Sequence, residues 1–182
     1  MDFNEINAHY EVRKLLLDEH VNSFNCGDAD LNDFILTEAS LYQKAMLAVT
    51  YVFEEKTTKQ IAAFFSLAND KVSLSDFENK SDFNRFRKKR FVNAKRLRSY
   101  PAVKLCRLGV DESLKGKSIG TILLKFIKTY FLLDNKTGCR FITVDAYAAA
   151  VPFYQKNGFV PLNDEDIDGD TRLLYFDLND LG

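Results

Sequence analysis

Leu108-Gly109-Val110-Asp111-Glu112-Ser113-Leu114-Lys115-Gly116-Lys117-Ser118-Ile119-Gly120 decides how the rest of the chain is read. An apolar run, Val103 to Val110, ends there in a short glycine-containing turn. Ile119, Ile122, Leu123, Phe126, Ile127, Tyr130 and Leu133 then recur at spacings of three and four, which predicts a helix with one buried face. The first N–H groups of a helix have no acceptor in the helix itself and carry the positive end of its dipole. Such a turn can hold phosphate oxygens through its backbone, and Lys115 and Lys117 add charge. The plain alternative is a strand-to-helix connection whose lysines are merely solvated. A nucleotide P-loop is excluded, because Gly116-Lys117-Ser118 would need a glycine five positions before Gly116, where Asp111 stands.

Working outward, the pattern alternates between strands and helices. Tyr10 to Leu17 reads as a strand. Asp28 is the expected N-cap of a helix in which Leu31, Phe34, Ile35, Tyr42 and Met46 share a face. Ala48 to Phe53 and Ile61 to Leu67 read as a hairpin around the polar turn Glu55–Lys59. Asp70 to Tyr100 is polar and poorly periodic, an expected irregular insertion with one helix, closed by Pro101. Downstream, Phe141 to Val144 is a short buried strand and Ala149 to Asn157 a helix. Pro152 suits the first turn of that helix and Gly158 its left-handed C′ position. Leu173 to Leu178 is the last strand. The alternation predicts an α/β (α+β) sheet covered by helices, in one domain spanning 1–182.

Composition supports a soluble globular protein. The 182 residues are 46% hydrophobic and 28% charged, with a net charge of -1, which argues against a wholly basic nucleic-acid binder. A chain of this length buries roughly 70% of its unfolded surface, enough for a core without staples. Cys26, Cys106 and Cys139 are odd in number and far apart, so neither a disulfide framework nor a zinc site is expected, and they fit a reducing cytoplasm. Met1 to Asn7 lacks the apolar stretch of a signal peptide, and no run approaches the ~20 residues of a spanning helix. Asp164-Glu165-Asp166-Ile167-Asp168-Gly169-Asp170 imitates half of a calcium loop, but Tyr175 stands where a bidentate carboxylate is needed, so a solvated acidic loop is expected.

Two segments together carry a family resemblance. Strand 103–110 with the 115–120 turn and its helix resembles the acetyl-CoA-binding motif of the GNAT N-acetyltransferases. Ala150-Val151-Pro152-Phe153-Tyr154-Gln155-Lys156-Asn157-Gly158-Phe159 is similar to the family's A-x-x-F-Y-x-x-x-G-F segment. They stand in the family's order and at its usual separation. Lys115 occupies a position where Gln or Arg is usual, and Tyr147 one where a polar residue, often Asn, is usual. Ser118 stands at the first glycine of the turn, while Gly120 matches the second. Serine fits there at negative φ and would be strained at positive φ.

The resemblance implies a mixed sheet splayed between strands 103–110 and 139–145, with acetyl-CoA as the acetyl donor and no metal. Pantetheine would pair with the backbone at Leu108, Gly109 and Val110. Lys115, Gly116, Lys117, Ser118, Ile119, Gly120 and Thr121 would hold the pyrophosphate, and Lys156 would add a cofactor contact. Tyr154 would be the catalytic acid: coenzyme A leaves as a thiolate, and a positioned phenol can protonate the sulfur, help worth ~10²–10⁴ in rate. The plain alternative for Tyr154 is packing beside Phe153. No general base stands out, and His9 and His20 are expected at the surface. An α-amine, with a reference pKa of ~7.7–8.0, needs less help than a lysine near ~10.4.

Arg85, Arg87, Lys88, Lys89, Arg90, Lys95, Arg96 and Arg98 fall within 14 residues that contain no acid. They read either as a phosphate-binding patch, for RNA, or as a solvated face. Phe24-Asn25-Cys26-Gly27-Asp28-Ala29-Asp30-Leu31-Asn32-Asp33-Phe34 and Arg107-Leu108-Gly109-Val110 are similar to segments of GNAT toxins that acetylate the amine of aminoacyl-tRNA. Three readings stay open: an N-acetyltransferase of primary amines acting by direct attack in a ternary complex, a toxin acting on aminoacyl-tRNA with an antitoxin partner, and a non-catalytic acyl-CoA- or RNA-binding module. A homodimer through exposed strands or helices is a further expectation.

Overall fold

The strands run in the order β1-β2-β3-β4-β5-β7-β6 in a seven-stranded mixed sheet. They are β1 (Tyr10–Lys14), β2 (Val49–Glu55), β3 (Ile61–Ser73), β4 (Ser99–Val110), β5 (Phe141–Tyr147), β6 (Val160–Pro161) and β7 (Thr171–Asp177). The α-helices are α1 (Ala29–Asp33), α2 (Ala39–Lys44), α3 (Lys80–Arg90), α4 (Ile119–Leu133) and α5 (Val151–Lys156). This computed structural model describes residues 8–133, 137–164 and 166–181, so the expectation about Met1 to Asn7 and the Glu165 position of the acidic stretch lie outside the described residues. The mixed α/β sheet read from the alternation is borne out. The chain divides into two compact units, one within Met1–Ala68 and Leu105–Ile127, the other within Asn69–Lys104 and Lys128–Gly182.

In the first unit, β1, β2 and β3 form an antiparallel meander in which Val12 faces Phe53 and Val52 faces Phe64. Their inward residues meet Leu15, Phe24, Phe34, Ile35 and Ala39 in one apolar cluster. Burying each large side chain there stabilises the fold by about 1.5–3 kcal/mol. The helix begins as expected, with the Asp28 carboxylate accepting from the N–H of Leu31 at 2.9 Å. It is not regular, however. Between α1 and α2 lies a π-helical turn, Phe34–Glu38, closed by the Ala39 N–H on the Phe34 carbonyl. Thr37 Oγ1 donates back to the Asp33 carbonyl at 2.8 Å, a bond that competes with the regular helix ladder. The wider turn lets adjacent Phe34 and Ile35 both be buried.

In the second unit, β4 pairs in parallel with β5 over Ala102–Lys104 and Phe141–Thr143, and β5 pairs antiparallel with β7 along its length. Residues 70–100 are more regular than the expected irregular insertion. β3 continues to Ser73, where Ser73 and Asp76 form a capping box, and β4 begins at Ser99. The expected helix is α3, whose N-cap Asn79 accepts from the N–H groups of Ser81 and Asp82. Phe77, Phe83, Phe86 and Tyr100 are buried with Phe141 and Tyr175, so this stretch builds a core. Pro101 does not close the segment but sits inside β4, its carbonyl accepting from the Arg140 N–H at 2.9 Å.

The acidic stretch is mostly exposed, but Asp166 is not free: it accepts from the Leu173 N–H and lies 3.5 Å from Arg172. Cys26, Cys106 and Cys139 form no disulfide. Among the described residues, no group of three or more metal-ligating side chains gathers, and no helix is long and apolar enough to cross a membrane.

Candidate active site

Within the first unit, β4 ends at Val110 and the chain turns through Glu112–Leu114 before α4 begins. The Asp111 carboxylate stabilises this turn, accepting from the Ser113 N–H at 3.0 Å and its hydroxyl at 2.6 Å. Those bonds, with one from backbone near Asn25, hold its pKa below the usual carboxylate value against the opposing pull of burial. The turn is also tied to the chain before α1, because the Glu112 N–H donates to the Asn25 carbonyl at 2.9 Å and Asn25 Nδ2 donates to Glu112 at 3.1 Å. Leu114, Lys115 and Lys117 have backbone partners inside the turn. The N–H groups of Gly116, Ser118, Ile119, Gly120 and Thr121 have none among the described residues. They open a fifteen-residue helix, where the dipole adds positive potential.

Gly116 has φ 78 and Ser118 has φ 63, so both are left-handed. A β-carbon on Gly116 would meet nothing within 4 Å, which leaves its backbone open to a ligand. Ser118 therefore holds the glycine-like conformation that strains an L-residue, typically by about 1–2 kcal/mol. This is the positive-φ case set out from the sequence. Lys115 and Lys117 are exposed, and Lys115 Nζ rests 3.3 Å from Glu112. Gly109 has a packing reason of its own: a β-carbon there would stand 2.7 Å from Phe64 Cε1. Its neighbours Leu108 and Val110 are half-buried.

Within the second unit, Tyr154 lies on α5, with Pro152 in the first turn as expected. Its ring is buried between Phe153 and Phe159, with centroids 5.1 and 5.5 Å away. Burial pushes the phenol up to about 12, so it remains a proton donor throughout the neutral range. Lys156, in the last turn of α5, is exposed. Tyr147, at the end of β5, is exposed as well. Both histidines, His9 and His20, are at the surface.

The basic stretch is divided by the fold. Arg87 donates to the carbonyls of Arg96 and Leu97, Arg96 to that of Phe91, and Arg90 to that of Phe86 and to the Tyr175 hydroxyl. The Arg90 guanidinium also lies over Phe86, 4.2 Å from its centroid, and 3.6 Å from the buried carboxylate of Asp177. These three arginines stitch α3 and the following turn to the core and are half-buried. Arg85, Lys88, Lys89, Lys95 and Arg98 are exposed, and of these only Arg85 has a carboxylate partner among the described residues, Asp82 at 3.0 Å.

A family profile described as "Acetyltransferase (GNAT) domain" matches residues 52–174, about two thirds of the chain. The chain belongs to the GNAT acetyltransferase family. As a GNAT enzyme it is an acetyl-CoA-dependent N-acetyltransferase, as the two sequence motifs implied. The fold is also that of solved bacterial GNAT toxins. A structure of a Tyr-to-Phe mutant of KacT superposes with TM-score 0.75 at 18% identity, covering 95% of this chain and 97% of that one. A structure described as AtaTR bound with acetyl-CoA gives 0.71 at 22% identity, covering 96% of each chain. AtaT complexed with acetyl-methionyl-tRNAfMet gives 0.71 at 22% identity, covering 94% and 96%.

One feature of this GNAT chain was not read from the sequence. Lys128, in the apolar run of α4, is drawn from 10.5 to about 8 by burial. Its ammonium sits 3.7 Å from the Phe176 centroid and donates to the Asn157 carbonyl at the end of α5. A lone lysine between Ile127 and Phe131 gives no sign in sequence of what it touches.

Proposed function

We propose that this GNAT enzyme acetylates the α-amine of aminoacyl-tRNA. The observation that carries the proposal is the set of five exposed cations, Arg85, Lys88, Lys89, Lys95 and Arg98, displayed by one stretch whose other three arginines are engaged in the fold. Exposed lysines and arginines bind phosphates by displacing counterions, without needing base contacts. The resemblance to AtaT, whose structure is described with acetyl-methionyl-tRNAfMet, supports the same acceptor class here.

In this reading, the free N–H groups of Gly116, Ser118, Ile119, Gly120 and Thr121 bind the cofactor pyrophosphate, and Lys115 and Lys117 make the local potential more positive. The open face at Gly116 and the left-handed turn at Ser118 suit that group. Backbone of Leu108, Gly109 and Val110 aligns the pantetheine, and Lys156 contributes a further contact. Bound acetyl-CoA supplies the activated acyl group. The acceptor amine attacks directly, so a C–N bond forms, the C–S bond breaks, and the amine proton passes to solvent. Tyr154 gives its phenolic proton to the departing sulfur, and its raised pKa keeps that proton in place until then. An antitoxin, a second copy of the chain and a cytoplasmic setting complete the reading.

The test is transfer of labelled acetyl from acetyl-CoA to total charged bacterial tRNA, with uncharged tRNA as control. Label is expected on charged tRNA only. Replacing Lys88, Lys89 and Lys95 together by alanine should raise KM for tRNA and flatten its salt dependence by roughly 0.7–0.9 in log–log slope per lost phosphate contact. Label on small amines or protein lysines in place of tRNA would assign a different acceptor.

A further inference from the structure

α5 is only six residues long, and a helix that short has little stability of its own. The position of Tyr154 is therefore set by what holds the helix ends. At the C-terminal end the backbone closes a full Schellman motif: the Phe159 N–H donates to the Tyr154 carbonyl at 3.1 Å and the Gly158 N–H to the Gln155 carbonyl at 2.9 Å. Gly158, at φ 82, makes the reversal. The motif leaves the Asn157 carbonyl outside it, and Lys128 Nζ donates there. No carboxylate pairs with Lys128 among the described residues. Its ammonium is instead bracketed by rings, 3.7 Å from the Phe176 centroid and 5.2 Å from that of Phe159. Phe159 in turn packs edge-to-face on Tyr154, with 5.5 Å between centroids.

We infer that Lys128 is a positioning residue for Tyr154, acting through the Asn157 carbonyl at the end of α5 and through the Phe159 ring. The inference rests on Tyr154 being the proton donor. The ammonium does two things that an apolar side chain cannot. It supplies a donor and a positive charge at a helix C-terminus, where the dipole favours both. It also holds two aromatic faces by cation–π attraction, and one of those rings abuts the phenol. Without it, the last turn of α5 and Phe159 can shift together, and the Tyr154 hydroxyl loses its register with the leaving sulfur. Misplacement by about 1 Å is enough to lower a rate by up to ~10².

The experiment is a double-mutant cycle of Lys128→Met and Tyr154→Phe, with Lys128→Arg as rescue. Thiol release from acetyl-CoA is followed with charged tRNA as acceptor, or with a panel of small primary amines if tRNA accepts nothing. Lys128→Met keeps the aliphatic stem but loses charge and donor. It should lower kcat roughly tenfold to hundredfold and leave KM for acetyl-CoA within about twofold. Lys128→Arg should recover most of the loss. In the Tyr154→Phe background, Lys128→Met should cause no further fall, because there is no phenol left to position. An equal fall in both backgrounds, or unchanged kcat for Lys128→Met while Tyr154→Phe is impaired, overturns the inference. Unchanged kcat for Tyr154→Phe overturns the assignment of Tyr154 itself. Thermal melts of each variant separate loss of fold from loss of register. If Lys128→Met does not fold, Lys128→Arg and Lys128→Gln supply the comparison: near-normal kcat for Arg with a reduced kcat for Gln is expected, and equal kcat for the two overturns the inference.

Discussion

Gly109 and Phe64 occupy adjoining space so closely that a β-carbon on Gly109 would lie 2.7 Å from Cε1 of the Phe64 ring. Phe64 is fully buried and packed between Phe24 and Phe34, so the ring has nowhere to retreat. Gly109→Ala is therefore expected to destabilise the protein by about 1–3 kcal/mol through overpacking, read by chemical denaturation. Adding Phe64→Leu to that variant should recover part of the loss. Unchanged stability in Gly109→Ala would show that the Phe64 ring can move aside for the added methyl group.

Ser118 is a left-handed serine in the turn proposed to hold the cofactor pyrophosphate. Ser118→Gly is expected to relieve the strain and raise stability by up to about 1 kcal/mol, offset in part by the greater freedom of glycine in the unfolded chain. The free N–H is retained, so acetyl-CoA affinity measured by calorimetry should hold or improve. Ser118→Val, which places a β-branched residue at φ 63, should lose both.

Tyr154→Phe should lower kcat by ~10²–10⁴ while leaving acetyl-CoA affinity nearly unchanged. The pH dependence has a defined sign. Because the folded phenol is raised from 10 to about 12, the folded state holds its proton where the unfolded chain has released it. That contribution to stability is fully present below pH 10 and is lost as pH rises from 10 towards 12. Denaturation midpoints followed through that window should fall less steeply in Tyr154→Phe than in the parent protein. The activity profile should show no decline assignable to Tyr154 between pH 7 and pH 9.

Arg13 joins Glu54, whose side chain is 5% exposed, to Glu19. Its hydrogen bond is the main cause of the lowered Glu54 pKa, with Lys59 assisting against desolvation, and the same arginine lowers Glu19. Both carboxylates stabilise the fold above their unfolded pKa near 4.5, and that stability is lost as pH falls through the lowered folded values. Arg13→Leu strands the buried carboxylate beside Lys59 alone. A loss of about 2–3 kcal/mol is expected at neutral pH, below the range for a fully buried pair because Arg13 is partly exposed. The loss should shrink in acid, where Glu54 is neutral, and urea titrations at two pH values measure it.

What the sequence made legible follows from where the signal is dense. α4 was readable because seven apolar residues from Ile119 to Leu133 keep helical spacing. The caps at Asp28 and Gly158 were readable because their residue types suit a single backbone role. Residues 70–100 were not, because the inward face of α3 rests on little more than Phe83 and Phe86 amid charges. Their packing depends on Phe77, Tyr100, Phe141 and Tyr175, which are scattered along the chain. The π-helical turn depends on Phe34 and Ile35 both seeking the core, and β6 on only two paired residues. The site followed the same rule. Tyr154 came from a family motif and the turn from its glycines, whereas the division of the basic stretch depends on carbonyls and rings that only the folded chain brings to Arg87, Arg90 and Arg96.

That division bears on how such an enzyme can diversify. Arg85, Lys88, Lys89, Lys95 and Arg98 stand outside the core, so in the proposed reading substitutions at them would change the charge shown to an acceptor at little cost to the fold. Arg87, Arg90 and Arg96 are tied to carbonyls and a tyrosine hydroxyl of the fold, so replacements there are expected to cost stability before they touch recognition. Lineages descended from a common ancestor would then drift freely at the first set and barely at the second. Acceptor preference could wander among related enzymes while the scaffold that presents it stays the same.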